Sequence, residues 1–462
     1  MTDNIQPEIP TAKLIENATK SKEKYLDLSR RELTELPKEI TKIHSLEDLY
    51  VYENKLDALP DNIGSLNKLK RLSLSENHLV SIGKLNNLTV LDFRYNQLTE
   101  IGEWVGRMSN LRILDARYNK LTKLDPNIGN CKSLSKLHIS YNSLKELPST
   151  IVKIKTLQEL DLEGNQLTTL PQELHLLSSL KLLMLNRNPL KKLPDDLFKN
   201  YGGLIDLNLS YSQISTLPNS ISFLTSLQTL DLSNNDFSAL PPEIGHLQKV
   251  HEMNLNENQL QSLPPEFGKL VSLKEVQLEG NQLKELPTQI ENLTALRKIN
   301  LNDNKLTSLP KEMSKLHLLK ELYVNENKVV QLPQSFGELK SLAILKMEEN
   351  KLEKIPPQLG KLSLLESLVL SGNKLKELPP EIGLLCSLKE FNVSENKLTI
   401  LPPEIALLSN LTELDVLDNP LKSPPEQICE EGPDFVLQYL ARQLRERINQ
   451  QNMANLGDDD DR

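Results

Sequence analysis

The stretch Leu46-Glu-Asp-Leu-Tyr-Val-Tyr-Glu-Asn54-Lys-Leu-Asp-Ala-Leu-Pro60-Asp-Asn-Ile-Gly-Ser-Leu66-Asn-Lys68 decides how the chain folds. Leu49 and Val51 alternate with Asp48, Tyr50 and Tyr52, the period of two that gives a short strand one buried and one exposed face. Leu46, Leu56 and Leu59 complete the apolar set, and Pro60 is expected to stop the strand. Ile63, Leu66 and Leu69 follow at near-helical spacing, which predicts a turn or short helix on the other side. Asn54 stands where its amide can bond the backbone of a neighbouring turn.

The unit LxxLxLxxNxLxxLPxxIxxLxx recurs 18 times. Its Asn falls at Asn54, Asn77, Asn96, Asn119, Asn142, Asn165 and Asn188, then at Asn235 and every 23 residues to Asn419, with Arg31 and Ser212 in that place in the first and ninth units. Two intervals depart from 23: Asn77 to Asn96 is 19, because the LPxxI segment is cut to Ser81-Ile82-Gly83, and Asn188 to Ser212 is 24. The unit is similar to the leucine-rich repeat. That likeness, with the period, implies an α/β fold: a leucine-rich repeat solenoid, a curved horseshoe with a parallel concave β-sheet and with turns and short helices on its convex side. Of 462 residues 96 are Leu, whereas aromatics make up 4%. One residue type therefore fills one recurrent site.

A stack of such units needs caps, because each terminal repeat would otherwise expose its Leu face. Residues 1–22 are expected to form an N-terminal segment with a capping helix, placed over Ala12 to Lys24 by Leu14 and Ile15. The array is expected over 23–425. A C-terminal capping helix is expected within 426–448, where Phe435, Val436, Tyr439, Leu440 and Leu444 recur at helical spacing between Pro433 and Ile448. The polar stretch 449–462, ending in Asp458 to Asp461, has no period and is expected to be disordered.

Several function classes are excluded at this level. No run approaches the roughly 20 apolar residues that span a bilayer, and Met1-Thr-Asp-Asn-Ile5 has neither the basic start nor the apolar run of a secretory signal. The chain therefore reads as soluble and cytoplasmic. Cys131, Cys386 and Cys429 are far apart without CxxC spacing, so inert thiols are expected rather than a disulfide framework or a zinc site. A net charge of -9, from 54 Lys plus Arg against 63 Asp plus Glu, argues against nucleic-acid or anionic-membrane partners.

Enzyme signatures are missing too: there is no GxxxxGK[ST], no GxGxxG after a strand, no HExxH and no GxSxG. Glu348-Glu349 reads as a solvated acidic face, and His246 and His251 fall in different parts of one repeat without ligand spacing. No catalytic residue, cofactor or metal is expected. The N-x-[ST] triplets at Asn17, Asn87, Asn208, Asn292, Asn392 and Asn410 read as by-products of the repeat composition.

What remains is the exposed face of the strands, positions three, five, seven and eight of each LxxLxLxxN unit. Repeats 2 to 6 present Tyr50, Tyr52, Arg71, Arg94, Tyr95, Arg117, Tyr118, Lys136, His138 and Tyr141 there. Tyr and Arg dominate interface hot spots, since each covers apolar area while keeping a directional polar end. The competing reading is that stacked strands favour such ladders for their own sake. In repeats 10 to 18 the same positions carry Glu252, Glu275, Glu279, Glu321, Glu348, Glu390, Glu413 and Asp415 among other acids, against only Lys298 and Lys346. That half fits either a basic partner or plain solubility.

Asp48-Leu-Tyr-Val-Tyr-Glu-Asn-Lys-Leu56, Leu74-Ser-Glu-Asn-His-Leu79 and Leu91-Asp-Phe-Arg-Tyr-Asn-Gln-Leu98 resemble the early repeats of the Shoc scaffold family of the Ras–Raf pathway. Pro424-Pro-Glu-Gln-Ile428 and Glu431-Gly-Pro-Asp-Phe-Val-Leu-Gln-Tyr-Leu440 are similar to that family's closing cap. The resemblance implies a cytoplasmic scaffold whose concave face joins a GTP-bound Ras-type GTPase to a serine/threonine phosphatase catalytic subunit. It makes Tyr50, Tyr52, Asp92 and Arg94 contact candidates. Separately, the chain is expected to be monomeric when unbound. The family's [RK]VxF segment has no match in the residues before the first repeat. The alternative is a recognition or regulatory arm of an enzyme whose catalytic module is not in this chain.

Overall fold

In Leu46–Lys68 the strand is only three residues long, Asp48–Tyr50. Leu49 and Val51 are fully buried, while Asp48, Tyr50 and Tyr52 stay half-exposed, so the expected alternation holds. Pro60 does not end this strand, as expected above. The chain leaves extended geometry at Glu53, which is left-handed at φ 51°, and Pro60 instead leads into the 3-10 turn Ile63–Ser65. Leu59 is half-buried rather than sealed.

The computed structural model describes residues 9–82 and 85–457. It falls into two compact units, Met1–Leu227 and Gln228–Arg462. Among the described residues of the first unit, nine parallel strands, from Tyr25–Asp27 to Asp206–Asn208, pair each with the next repeat's strand in unbroken register. Nine more in the second unit, from Thr229–Asp231 to Glu413–Asp415, do the same. In the first unit Glu100–Ile101 pairs separately with Lys123–Leu124. In most repeats a five-residue 3-10 turn, such as Pro242–His246, returns the chain. These turns pack so closely that a β-carbon on Gly245 would fall 2.6 Å from the Glu266 carbonyl oxygen of the next repeat, which is why the repeat reads PEIG there.

The Asn at position nine joins the repeats. Asn281 is 6% exposed, and its Nδ2 donates to Leu255 O of the preceding repeat at 2.9 Å and to Leu278 O at 3.1 Å. Its Oδ1 accepts the Leu260 N–H at 3.0 Å. The same set recurs at Asn77, Asn165 and Asn304. Each amide thus satisfies buried backbone groups that would otherwise cost about 1–3 kcal/mol apiece.

Both ends carry helices. Helix α1, Thr11–Ser21, buries Ile15 and Ala18 and stops where Lys22 turns left-handed, three residues short of the expected Lys24. After a short α2, Glu426–Glu430, the closing helix α3 runs Pro433–Gly457. Val436 and Leu440 are buried as its apolar stripe requires, but Phe435 is 48% exposed. The expected end at Ile448, with disorder following, is corrected for 449–457: the helix continues to Gly457. Loss of the apolar period means only that this extension has no face to bury; no residue in it breaks a helix before Gly457. The expected disorder at 458–462, and Gly83 of the shortened unit, lie outside the described residues.

Candidate interaction surface

Position eight of all 18 repeats is left-handed, from Arg30 at φ 59° to Asp418 at φ 53°, yet only Gly164, Gly280 and Gly372 are glycine there. In most repeats the N–H of this residue is tied across to the next repeat, as Tyr118 N–H is to Ser140 O at 3.0 Å, which offsets the cost of that conformation. The turn swings the side chain off the strand axis and lines it up with its neighbours. In the first unit this makes a row of tyrosines. The rings of Tyr95 and Tyr118 stack at 4.4 Å and those of Tyr118 and Tyr141 at 4.5 Å, each pair within 6° of parallel. All three are exposed. The Tyr141 hydroxyl donates to Glu163 Oε1 at 2.8 Å, and that bond, with burial second, pushes its pKa up to about 12.

The row continues where the sequence reading stopped. Arg187 lies 4.6 Å over the Tyr211 ring and 3.4 Å from Glu163. Tyr25 and Arg30 extend the other end, Tyr25 against Tyr50 at 5.4 Å and Arg30 over Tyr52 at 5.6 Å. Their signal was available, since Tyr25 stands at position three, across from Asp48, and Arg30, Arg187 and Tyr211 stand at position eight, as Tyr95 does.

The cations named from sequence are not free. Arg94 donates from Nε and Nη2 to the two oxygens of Asp92 at 3.0 and 2.9 Å, and lies 3.4 Å from Asp115. Arg117 holds Asp115 in the same way at 2.9 and 2.7 Å. Charge-assisted pairs raise the pKa of both guanidinium groups. Arg71 faces Asp48 at 3.7 Å. Lys136 and His138 share Glu159 at 2.7 and 3.1 Å; burial of Glu159 opposes its charge, but those two bonds outweigh it and hold its carboxyl below the usual range. The strand face of the first unit is therefore self-neutralised, and the exposed tyrosine row is its distinct feature.

In the second unit the acids are mostly unneutralised. Lys298 pairs with Glu321 at 3.4 Å and Lys346 with Glu390 at 3.7 Å. Glu279 accepts from Asn300 at 2.8 Å, and Glu348 from Asn325 at 3.0 Å. Glu252 sits directly across from Glu275, and Glu390 from Glu413, on paired strands, with Asp415 half-buried at the end of the sheet. Like charges in that relation destabilise a sheet by a few tenths of a kcal/mol or more. Tyr323, donating to Glu321 at 3.0 Å, has its pKa pushed up to about 12 by burial and then by that bond.

No nucleophile, base and oxyanion donors stand together among the described residues. Among the described residues no group of His, Cys, Asp or Glu could hold a metal ion. Cys131 and Cys429 are buried, but Cys386 is exposed.

Comparison with known proteins agrees with the geometry. The family model described as a leucine-rich repeat region matches residues 21–138 and 281–371, and a second, described as leucine rich repeat, matches 132–190 and 178–237. A solved Leptospira interrogans LRR protein is 33% identical with a TM-score of 0.74, over 89% of this chain and 99% of that one. YopM from Yersinia enterocolitica is 25% identical with a TM-score of 0.63, over 91% of this chain and 94% of its own. The adenylate cyclase of Schizosaccharomyces pombe is 42% identical over 82 residues, which is 17% of this chain and 5% of the cyclase. This chain thus spans a small fraction of that enzyme.

Proposed function

Since this chain belongs to the leucine-rich repeat family, whose repeats bind protein partners, we propose that it is a non-catalytic scaffold or adaptor that engages partners through the strand faces of its two units. The observation that carries this is the exposed, stacked row Tyr95, Tyr118 and Tyr141. Of ten tyrosines in the chain, Tyr201 alone is sealed in the core, its hydroxyl on Leu174 O. Rigid rings with polar tips held at a surface give contact area at low entropy cost. The acids of the second unit, opposed like to like, make a separate surface suited to a basic partner.

The finer reading is a cytoplasmic role in signal transduction, with a Ras-type small GTPase and a serine/threonine phosphatase catalytic subunit as partners and no nucleic acid. It rests on the resemblance of Asp48–Leu56 and Leu91–Leu98 to the Shoc family, and on Tyr50, Tyr52 and the Asp92–Arg94 pair standing half-exposed on one unit. Among the described residues no helix is long and apolar enough to cross a membrane. The test is binding of a Ras-type GTPase, loaded with a GTP analogue or with GDP, to the immobilised chain. Nucleotide-dependent binding lost in Tyr50→Ala/Arg94→Ala is expected; indifference to the nucleotide and to the variant rules the GTPase out.

A second reading, a recognition arm working with a separate catalytic module, is favoured by the likeness to part of an adenylate cyclase. Its mark would be cyclase activity that co-purifies with the native protein.

A further inference from the structure

Twice in the first unit the chain sets one of its own guanidinium groups against a tyrosine face and a carboxylate at once. Arg187 lies 4.6 Å over the Tyr211 ring while its Nε stands 3.4 Å from Glu163. Arg30 lies 5.6 Å over the Tyr52 ring and donates to both oxygens of Glu53 at 2.9 and 2.8 Å. Between these two places the position-eight row holds a third carboxylate, Glu76, one repeat before a third tyrosine, Tyr95; the Arg30 guanidinium, held by Glu53, acts on that carboxylate only from beyond ion-pair distance. Glu76 and Tyr95 are successive residues of the position-eight row: Glu76 N–H bonds Arg94 O at 2.9 Å and Asn77 N–H bonds Tyr95 O at 3.3 Å. Glu76 is exposed, and among the described residues no Lys or Arg forms an ion pair with it. Tyr95 stacks only on Tyr118, which leaves its other face open. It is accordingly 47% exposed, against 38% for Tyr118 and 37% for Tyr141.

The direction of the row brings the two groups together. Side chains at position eight lean toward the following repeat, as Tyr141 does over Gly164, Glu257 over Gly280 and Arg187 over Tyr211, and Glu76 stands in the same place one repeat before Tyr95. A carboxylate beside the electron-rich face of a ring is unfavourable until a cation comes between them. A planar guanidinium suits the gap better than an ammonium, because it stacks flat on the ring while its edge gives N–H groups to the carboxylate.

We propose that the Glu76–Tyr95 step is a docking site for an arginine side chain of the protein partner. This rests on the reading that the tyrosine row binds a protein, and names the chemistry the partner must present at one end of it. Glu163, Arg187 and Tyr211 show the same three groups joined within the chain, with Glu163 at position seven and Arg187 supplied by the repeat between it and Tyr211.

The test uses the full chain carrying fluorotyrosine, with the Tyr95 fluorine resonance assigned by Tyr95→Phe. Acetyl-Gly-Arg-Gly-amide and its lysine counterpart are titrated in turn. The arginine peptide is expected to move the Tyr95 resonance more than those of Tyr118 and Tyr141, and to bind about threefold or more tightly than the lysine peptide. Glu76→Gln is expected to weaken it by about threefold. A Tyr95 resonance that stays still, an equal response to lysine, or indifference to Glu76→Gln overturns the proposal. Those results leave the binding role of the row standing, because partner capture by Tyr118→Ala/Tyr141→Ala is read separately.

Discussion

The ring of Tyr141 lies on Gly164: a β-carbon at Gly164 would fall 2.9 Å from Tyr141 Cδ1 and 3.2 Å from Cε1. Gly164 is also left-handed at φ 62°, but fifteen other repeats hold a side chain at that position in the same conformation, so the close approach is the heavier cost. Gly164→Ala should destabilise the first unit by roughly 1–2 kcal/mol and tilt the ring of Tyr141. Gly203, which has nothing within 4 Å, is the control. Urea unfolding of both variants checks this, and equal midpoints would remove the stacking constraint from the account.

Asn281→Ala removes three donated bonds and the acceptor for Leu260 N–H. It should cost roughly 1–3 kcal/mol. Asn419, half-buried in the last repeat, should cost less on the same substitution. A loss below about 0.5 kcal/mol at Asn281 would mean that water replaces the ladder freely.

Arg117→Ala strips the bidentate partner from Asp115, whose side chain is 11% exposed. It should destabilise by roughly 1–3 kcal/mol, with Asp115→Asn/Arg117→Ala recovering part of the loss. A double-variant loss equal to the sum of the Asp115→Asn and Arg117→Ala losses would show that the pair is not coupled. The same measurement separates a folding role for these arginines from the hot-spot role their sequence positions suggested.

Tyr141 should titrate late. The bond it donates to Glu163 exists only while the phenol is protonated, and it raises the folded pKa to about 12, above the unfolded tyrosine value of about 10. Its stabilising effect is therefore complete below about pH 10 and is lost as pH rises through the folded pKa. Tyrosinate absorbance of wild type minus Tyr141→Phe should place this group near that upper value, and Glu163→Gln should lower it.

Much of this fold is legible in residues such as Leu49, Val51 and Asn54, because the period repeats their environment 18 times. Arg94 and Asp92 were legible as exposed-face residues but not as a closed pair, since pattern says which face a side chain takes and not which neighbour occupies it. The tyrosine row was legible by position, but its sideways set was not. It depends on a left-handed turn that Tyr95, Tyr118 and Tyr141 adopt without any glycine to announce it. The reach of α3 past Ile448 escaped for the reverse reason: a helix can continue on polar residues once Val436 and Leu440 have anchored its start.

The central claim is that the stacked tyrosines of the first unit hold a protein partner. Co-purification from the native cell with the wild-type chain, with Tyr118→Ala/Tyr141→Ala and with Tyr118→Phe/Tyr141→Phe tests it most directly, once equal unfolding midpoints have been verified. The account predicts that the alanine pair loses at least about 2 kcal/mol of binding, some thirtyfold in partner affinity, while the phenylalanine pair keeps most of it. Equal recovery of the same partner by wild type and the alanine pair would contradict it.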